Sequence, residues 1–327
     1  MPHPAAPCPP PMQTLAITVP VYLLMALGYA AGRFRLFSRD DFRVLGSFVA
    51  RFALPALVFT ALSRQPVARI ADARFIADYA VGSLVVLAIG IGWGYFRQRK
   101  RLTLSAMSGF GMASSNSGYI GYPIVALMAG PETAAVALAL CMLVENLFVI
   151  PASLVLAESG VAKEGAWHHV LLQAFLRFAR TPLFGGIVAG FAVALFEVPV
   201  PEPLGKAINL LALGSTATAL FVVGGSLVGL EVKGMRWDAS AIAAGKLVLH
   251  PLAVGIMVYL WPPADPALRV AAVVIAGVPM LSIYPILAQK FGLESLCAAA
   301  MLLATVASFA TLAVLLWVVG PGLGWQG

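Results

Sequence analysis

The chain has 327 residues, of which 61% are hydrophobic and 11% charged, with a mean hydropathy of +0.92. A soluble domain carries about 25% charged residues, so this composition excludes a water-soluble globular protein and implies one embedded in a bilayer. The formal charge of +7 does not point to nucleic acid, because the basic residues fall in short clusters between apolar runs, the arrangement that sets membrane topology.

The amino-terminal "MPHPAAPCPPP" is proline-rich and lacks a basic n-region, so it does not read as a cleavable signal peptide. Ten stretches are long and apolar enough to cross a hydrocarbon core of about 30 Å. In chain order they are Thr14–Gly32, Phe42–Leu62, Phe75–Phe96, Leu102–Ala129, Thr133–Ala157, Pro182–Val198, Leu204–Leu230, Trp237–Trp261, Ala267–Phe291 and Ser295–Val319. The expected class is therefore an all-α membrane protein with ten transmembrane helices. The long connection, 158–181, has an amphipathic second half with Arg177 and Arg180 beside Leu and Phe, suited to an interface. It divides the chain into 1–157, a linker, and 182–327.

Span 2 carries Arg51, which lines a polar path or pairs with Glu145 of span 5. Asp78, in "RFIAD", lies about 6 Å inside span 3 at ~1.5 Å per residue and faces either interfacial water or the interior. Lys246 of span 8 and Glu145 both fall near mid-depth, where ionisable groups are partnered and functional by default. Lys246 is expected to pair with Glu145 or with Asp78, and a Lys246–Glu145 ion pair would serve either to fix helix packing, to couple motion to protons or to replace cation coupling altogether. His250, in "LVLHP", reads as a packed, hydrogen-bonded histidine, and His168 and His169 as solvated linker residues without metal spacing. Cys8, Cys141 and Cys297 lack C-x-x-C spacing, so no metal, disulfide framework or cofactor is expected.

Span 4 contains "NSGYIGYP", residues 116–123. Pro123 removes a helix N–H, and Gly118 and Gly121 are expected to supply unusual dihedrals. Backbone groups freed at membrane depth are tolerated only where protein or a water-filled cavity covers them. Span 9 carries a counterpart in "AGVPMLSIYP", with Pro279, Ser282, Tyr284 and Pro285. Moving residue 122 onto 284, a shift of 162, lays "YPIVALMAGPE" over "YPILAQKFGLE" with six identities in eleven, and brings Pro20 onto Pro182. That match indicates an internal duplication. Copies with an odd number of spans insert with opposite topology, and paired broken helices are the sequence pointer to a transporter's binding site. Half-helix N-termini meeting there attract an anion. Asn116, Tyr119 and Tyr122 add polar groups. Lysines and arginines number fourteen on one set of connections and five on the other, which puts the linker in the cytoplasm and both termini outside.

"NSGYIGYPI" followed by "PMLSIYPILAQKFG", with "KLVLHP" in span 8 and "ATVASFATL" in span 10, resembles the auxin efflux carrier family over essentially the whole chain. That family includes bacterial organic-anion permeases, malonate-carrier-like members and plant auxin carriers. The resemblance implies a fold related to bile-acid/sodium symporters. Spans 1, 2, 6 and 7 would form a scaffold and spans 3–5 and 8–10 a moving transport unit, in an elevator-type mechanism. By matching position, Asn116, Gly121 and Pro123, with Pro279 and Pro285, carry the crossover. Lys246 stands where sodium sits in symporter relatives, and Asp78 is displaced by one position from an acid of the plant carriers. Many relatives place an amide after the first span 9 proline, whereas Met280, Leu281 and Ser282 follow here. The plant relatives imply a homodimer. The expectation is an inner-membrane carrier of a small carboxylate, with a channel or a non-transporting sensor as alternatives. No H-E-x-x-H or G-x-S-x-G motif points to an enzyme.

Overall fold

The computed structural model describes residues 11–97, 101–160, 167–229 and 236–322. Cys8, Arg99, Lys100, Lys163 and Lys233 lie outside the described residues. The described chain is helical and, within those residues, has no strand. Helix α1 is Pro11–Arg33, α2 is Arg39–Phe48, α3 is Leu54–Leu62, the single turn α4 is Val67–Ile70, and α5 is Ala73–Arg97. The fourth span is split into α6, Leu102–Ala113, and α7, Tyr122–Ala129. Next come α8, Pro131–Val144, α9, Ile150–Ser159, α10, Trp167–Ala179, and α11, Pro182–Phe196. In the remainder, α12 is Glu202–Leu213, α13 Ser215–Ser226, α14 Arg236–Ala244 and α15 His250–Leu260. The ninth span is split into α16, Pro266–Gly277, and α17, Tyr284–Gln289, and α18 is Glu294–Gly322.

By length and composition, six helices of the described chain can cross a membrane, among them Pro131–Ser159 and Trp237–Leu260. Ile17–Arg33, Pro182–Phe196 and Pro266–Gly277 are apolar but shorter.

Four π turns interrupt these helices, at Val49–Ala53, Ser117–Gly121, Glu145–Val149 and Gly245–Leu249. Each is followed at the second residue by a proline, namely Pro55, Pro123, Pro151 and Pro251. The cause is local. A proline cannot donate to the carbonyl one turn back, and a π turn lets a neighbouring amide reach past the gap. Arg51, Tyr119, Glu145 and Lys246 all sit on these turns. The prolines thus decide where the polar side chains of an otherwise apolar bundle emerge.

The expectation that Gly118 and Gly121 supply unusual dihedrals fails. Neither has a positive φ, and Gly121 is helical at φ −61°, ψ −52°. Close approach explains them instead, since a Cβ on Gly121 would lie 3.3 Å from Ile275 and one on Gly118 3.1 Å from Leu54. Positive φ falls instead at Gly130 (86°) and Gly292 (65°), among other positions, and these two superpose under the same shift of 162. Each ends the second half of a broken span, shortly before a helix whose first turn holds Glu132 or Glu294.

Helix α1 packs on α13, and α3 on α11 and α12, while α5 packs on α6 and α15, α14 on α18, and α16 on α15 and α18. Small residues set the closest of these contacts. A Cβ on Gly224 of α13 would collide with the Met25 carbonyl oxygen of α1. Gly224→Ala should therefore force α1 and α13 apart at a cost of roughly 1–3 kcal/mol, read as a lower melting temperature of the detergent-solubilised protein. An unchanged melting temperature would show that these helices are free to separate.

Candidate functional site at the crossing of two interrupted helices

After α6 ends, Ser114 is extended at φ −92°, ψ 149°. Asn116 follows at φ −82°, ψ 61° and caps the π turn that leads into α7. After α16 ends, Val278 is extended in the same way at φ −74°, ψ 160°. The two irregular stretches meet. The Asn116 backbone N–H donates to the Pro279 carbonyl at 2.8 Å, and Asn116 Nδ2 donates to Ser282 Oγ at 2.7 Å. Backbone groups freed by one break are thus satisfied by the other. Asn116 also serves its own side, with Oδ1 accepting from the Tyr119 N–H at 3.3 Å and its carbonyl from the N–H groups of Ile120 and Gly121. Those amides are therefore taken up internally.

A dense polar cluster holds the crossing from one side. Lys246 is fully buried, and its Nζ donates to Ser115 Oγ at 2.6 Å, His250 Nδ1 at 2.6 Å and the Ala276 carbonyl at 2.8 Å. An ammonium has three donors, and all three are used. The other ring nitrogen of His250, Nε2, lies 2.9 Å from Ser83 Oγ, the donor being set by the ring's tautomer. Glu145, also buried, accepts from the Ser115 N–H at 3.0 Å and from Ser117 Oγ at 3.0 Å. The Tyr79 hydroxyl lies 3.2 Å from Glu145 Oε1 and 3.0 Å from Ser115 Oγ.

The expected direct Lys246–Glu145 ion pair is not formed among the described residues. Ser115 stands between the two, bonded to one through its hydroxyl and to the other through its amide. The reason lies in the helix ends. The Ala276 carbonyl is one of the acceptors that α16 leaves unpaired at its C-terminus, so the cation faces a partial negative charge. Glu145 binds the residues that open the π turn before α7, where the partial charge is positive. Each buried charge thus complements one half-helix end.

The other singled-out residues are placed as follows. Tyr119 donates its hydroxyl to the Gly46 carbonyl of α2 at 2.9 Å. Tyr122 and Pro123 open α7, as Tyr284 and Pro285 open α17. Tyr284 is buried, with its hydroxyl on the Met107 carbonyl of α6 at 2.9 Å, so it fastens the second break to the first broken span. Asp78 is buried with neither carboxylate oxygen hydrogen-bonded, one residue from Tyr79 but outside the cluster. Arg51 is exposed and joins none of these bonds. Sequence reasoning missed Tyr79, Ser83, Ser115 and Ser117. The run of small polar residues 114–117 at the break was the available signal.

Two interrupted helices fastened to each other inside an apolar, all-helical chain define a multi-pass membrane transporter. The chain belongs to the auxin efflux carrier family: residues 15–318 match the family described as membrane transport protein. It is 32% identical over 309 residues to the Rhizobium meliloti protein named "Putative malonate transporter", covering 94% of this chain and 96% of that one. It is 26% identical to the Escherichia coli "Uncharacterized transporter YfdV" over 248 residues, 72% of this chain and 75% of that one. A shorter stretch of 81 residues is 40% identical to the rice "Probable auxin efflux carrier component 1b", covering 24% of this chain and 14% of the relative.

Proposed function

We propose that this protein is a secondary carrier of small carboxylates, malonate or a similar acid, working by elevator-type alternating access in the inner membrane. The observation that carries the reading is the pair of hydrogen bonds from Asn116 to Pro279 and Ser282. They join breaks from the two halves of the chain and leave one amide side chain at their junction. In this reading the substrate carboxylate takes the Asn116 amide from Ser282. Gly118, Gly121, Pro123, Pro279 and Pro285 shape the backbone around it, and Tyr119 and Tyr122 flank it. The name of the Rhizobium relative supports a carboxylate.

Ten spans form two inverted repeats of five, with both termini outside. The superposed glycines Gly130 and Gly292 support the duplication. Helices α1–α3 and α11–α13 form the scaffold, and the helices of spans 3–5 and 8–10 form the moving unit, a division supported by the packing within each group. The Lys246–Ser115–Glu145 cluster lies wholly within the moving unit, where it keeps the crossing rigid as the unit travels. Asp78 is a further candidate for coupling, Arg51 a lesser one for the anion path, and the assembly a homodimer.

Counterflow tests the function. Proteoliposomes preloaded with unlabelled malonate should transiently accumulate labelled malonate above equilibrium, saturably. Linear flux without overshoot would make the protein a channel, and no flux of any carboxylate in a panel would remove the reading.

A further inference from the structure

Among the described residues, Arg64 forms no ion pair. Arg64 lies just beyond the end of α3 and is exposed. It borders a cavity of about 240 Å³ that Thr60, Asn209, Thr216, Tyr122 and Glu132 also line. Thr60, on α3, faces α12 and the start of α13, which bring Asn209 and Thr216, while Tyr122 opens the second half of the broken fourth span. The cavity therefore runs from the rim of the scaffold to Tyr122, the first residue of α7. It is smaller than the ~300–1,000 Å³ of pockets for drug-sized ligands, and fits a small acid. Arg64 also borders two neighbouring hollows of about 460 and 390 Å³.

The other charges around these hollows are Glu132, Glu202, Lys206 and Glu197. Glu132 accepts from Gln65 Nε2 at 2.7 Å, and Lys206 is bridged to Glu202 at 2.6 Å. Glu197 closes α11 and is exposed. Among the described residues no carboxylate oxygen lies within 4 Å of the Arg64 guanidinium. A guanidinium offers a planar fork matched to a carboxylate, and Asn209 and Thr216 supply neutral donors beside it, whereas the Thr60 hydroxyl is spent on the Ala56 carbonyl at 2.8 Å.

We infer that Arg64 and this cavity form a capture site for the carboxylate substrate on the outer face, from which it passes to the crossing. The inference rests on the carrier reading above. Because Arg64 belongs to the scaffold in that reading, it meets the substrate on one side of the membrane only. Its signature is therefore one-sided.

The test uses full-length protein inserted in one orientation in proteoliposomes, with malonate as the probe. Arg64→Gln should raise KM for malonate at the face carrying Arg64 about tenfold, as expected for one charge-assisted hydrogen bond. It should leave the maximal rate within about twofold and KM at the opposite face unchanged, and Arg64→Lys should recover part of the loss. Equal KM shifts at both faces, or none, would make Arg64 a solvated surface arginine and overturn the inference alone. Wild-type protein without saturable carboxylate uptake would overturn the carrier reading and this inference with it. If Arg64→Gln does not fold, Asn209→Ala on the facing helix should give the same one-sided rise, and an unchanged KM there overturns the capture site.

Discussion

Lys246→Met should abolish carboxylate uptake and sharply lower the yield of folded protein. The side chain is fully buried and spends all three donors on Ser115, His250 and the end of α16. Methionine fills the space but donates nothing. The Ala276 carbonyl then stays unpaired inside the bundle, and Glu145 is left either as an uncompensated buried charge or taking up a proton, a cost in both cases. Removing one member of a buried charge set costs about 3–5 kcal/mol, mainly because the other is left uncompensated. That cost is a large share of an ordinary domain's stability of ~5–15 kcal/mol.

The partner variant separates the two consequences. Adding Glu145→Gln to Lys246→Met removes the stranded charge while keeping an oxygen acceptor for Ser115 and Ser117. The double variant should regain much of the lost melting temperature, a coupling that a double-mutant cycle isolates. Uptake should stay near background, because the bond to the end of α16 is still missing and the two breaks are no longer held in register. Full recovery of uptake in the double variant would show that the charges are dispensable for transport. Equal melting temperatures for single and double variants would show that Ser115 does not couple them.

The broken helices were legible in the sequence because proline and glycine act locally. "NSGYIGYP" and "SIYP" mark where the ladder fails, and the structure breaks near both. Their meeting was legible only through the repeat, since nothing within span 4 names the Pro279 carbonyl as the partner of Asn116. The roles of Gly118 and Gly121 were misread for a related reason. A glycine beside a break satisfies two different needs, dihedral freedom or close approach, and only the neighbours Leu54 and Ile275 decide between them. Lys246 and Glu145 were visible as charges at membrane depth. Their connection through Ser115 was not, because a serine in a polar run carries no distinguishing signal until α5, α14 and α16 close around it. The four π turns could have been read from the prolines that follow them, and they account for where Arg51, Tyr119, Glu145 and Lys246 sit. Nothing in the sequence separates Arg64 from the other loop cations of its side, and only the cavity beside Tyr122 distinguishes it.

Substitution of Asn116 should separate substrate binding from the fold. Its backbone N–H bond to Pro279 survives any side-chain change except proline, so the two breaks remain joined. Asn116→Ala removes the amide that donates to Ser282 and the oxygen that caps Tyr119. Cap loss costs about 0.5–2 kcal/mol, which lowers the melting temperature modestly. The loss in uptake should be larger, roughly tenfold to a hundredfold, because hydrogen bonds to a charged group contribute about 1.5–3 kcal/mol each. Asn116→Asp distinguishes charge from packing. It is nearly isosteric and keeps the cap on Tyr119, yet it places a carboxylate where the substrate carboxylate is to bind, so uptake should fall below that of the alanine variant. Ser282→Ala removes only the group that holds the amide in the empty state and leaves the amide free for substrate, so its loss should be the smallest of the three. An aspartate variant that transports as well as wild type would exclude an anion from the crossing, and unchanged uptake in Asn116→Ala would move the site elsewhere. The order Asp below Ala at Asn116, with Ser282→Ala least affected, is one that a general loosening of the fold does not produce.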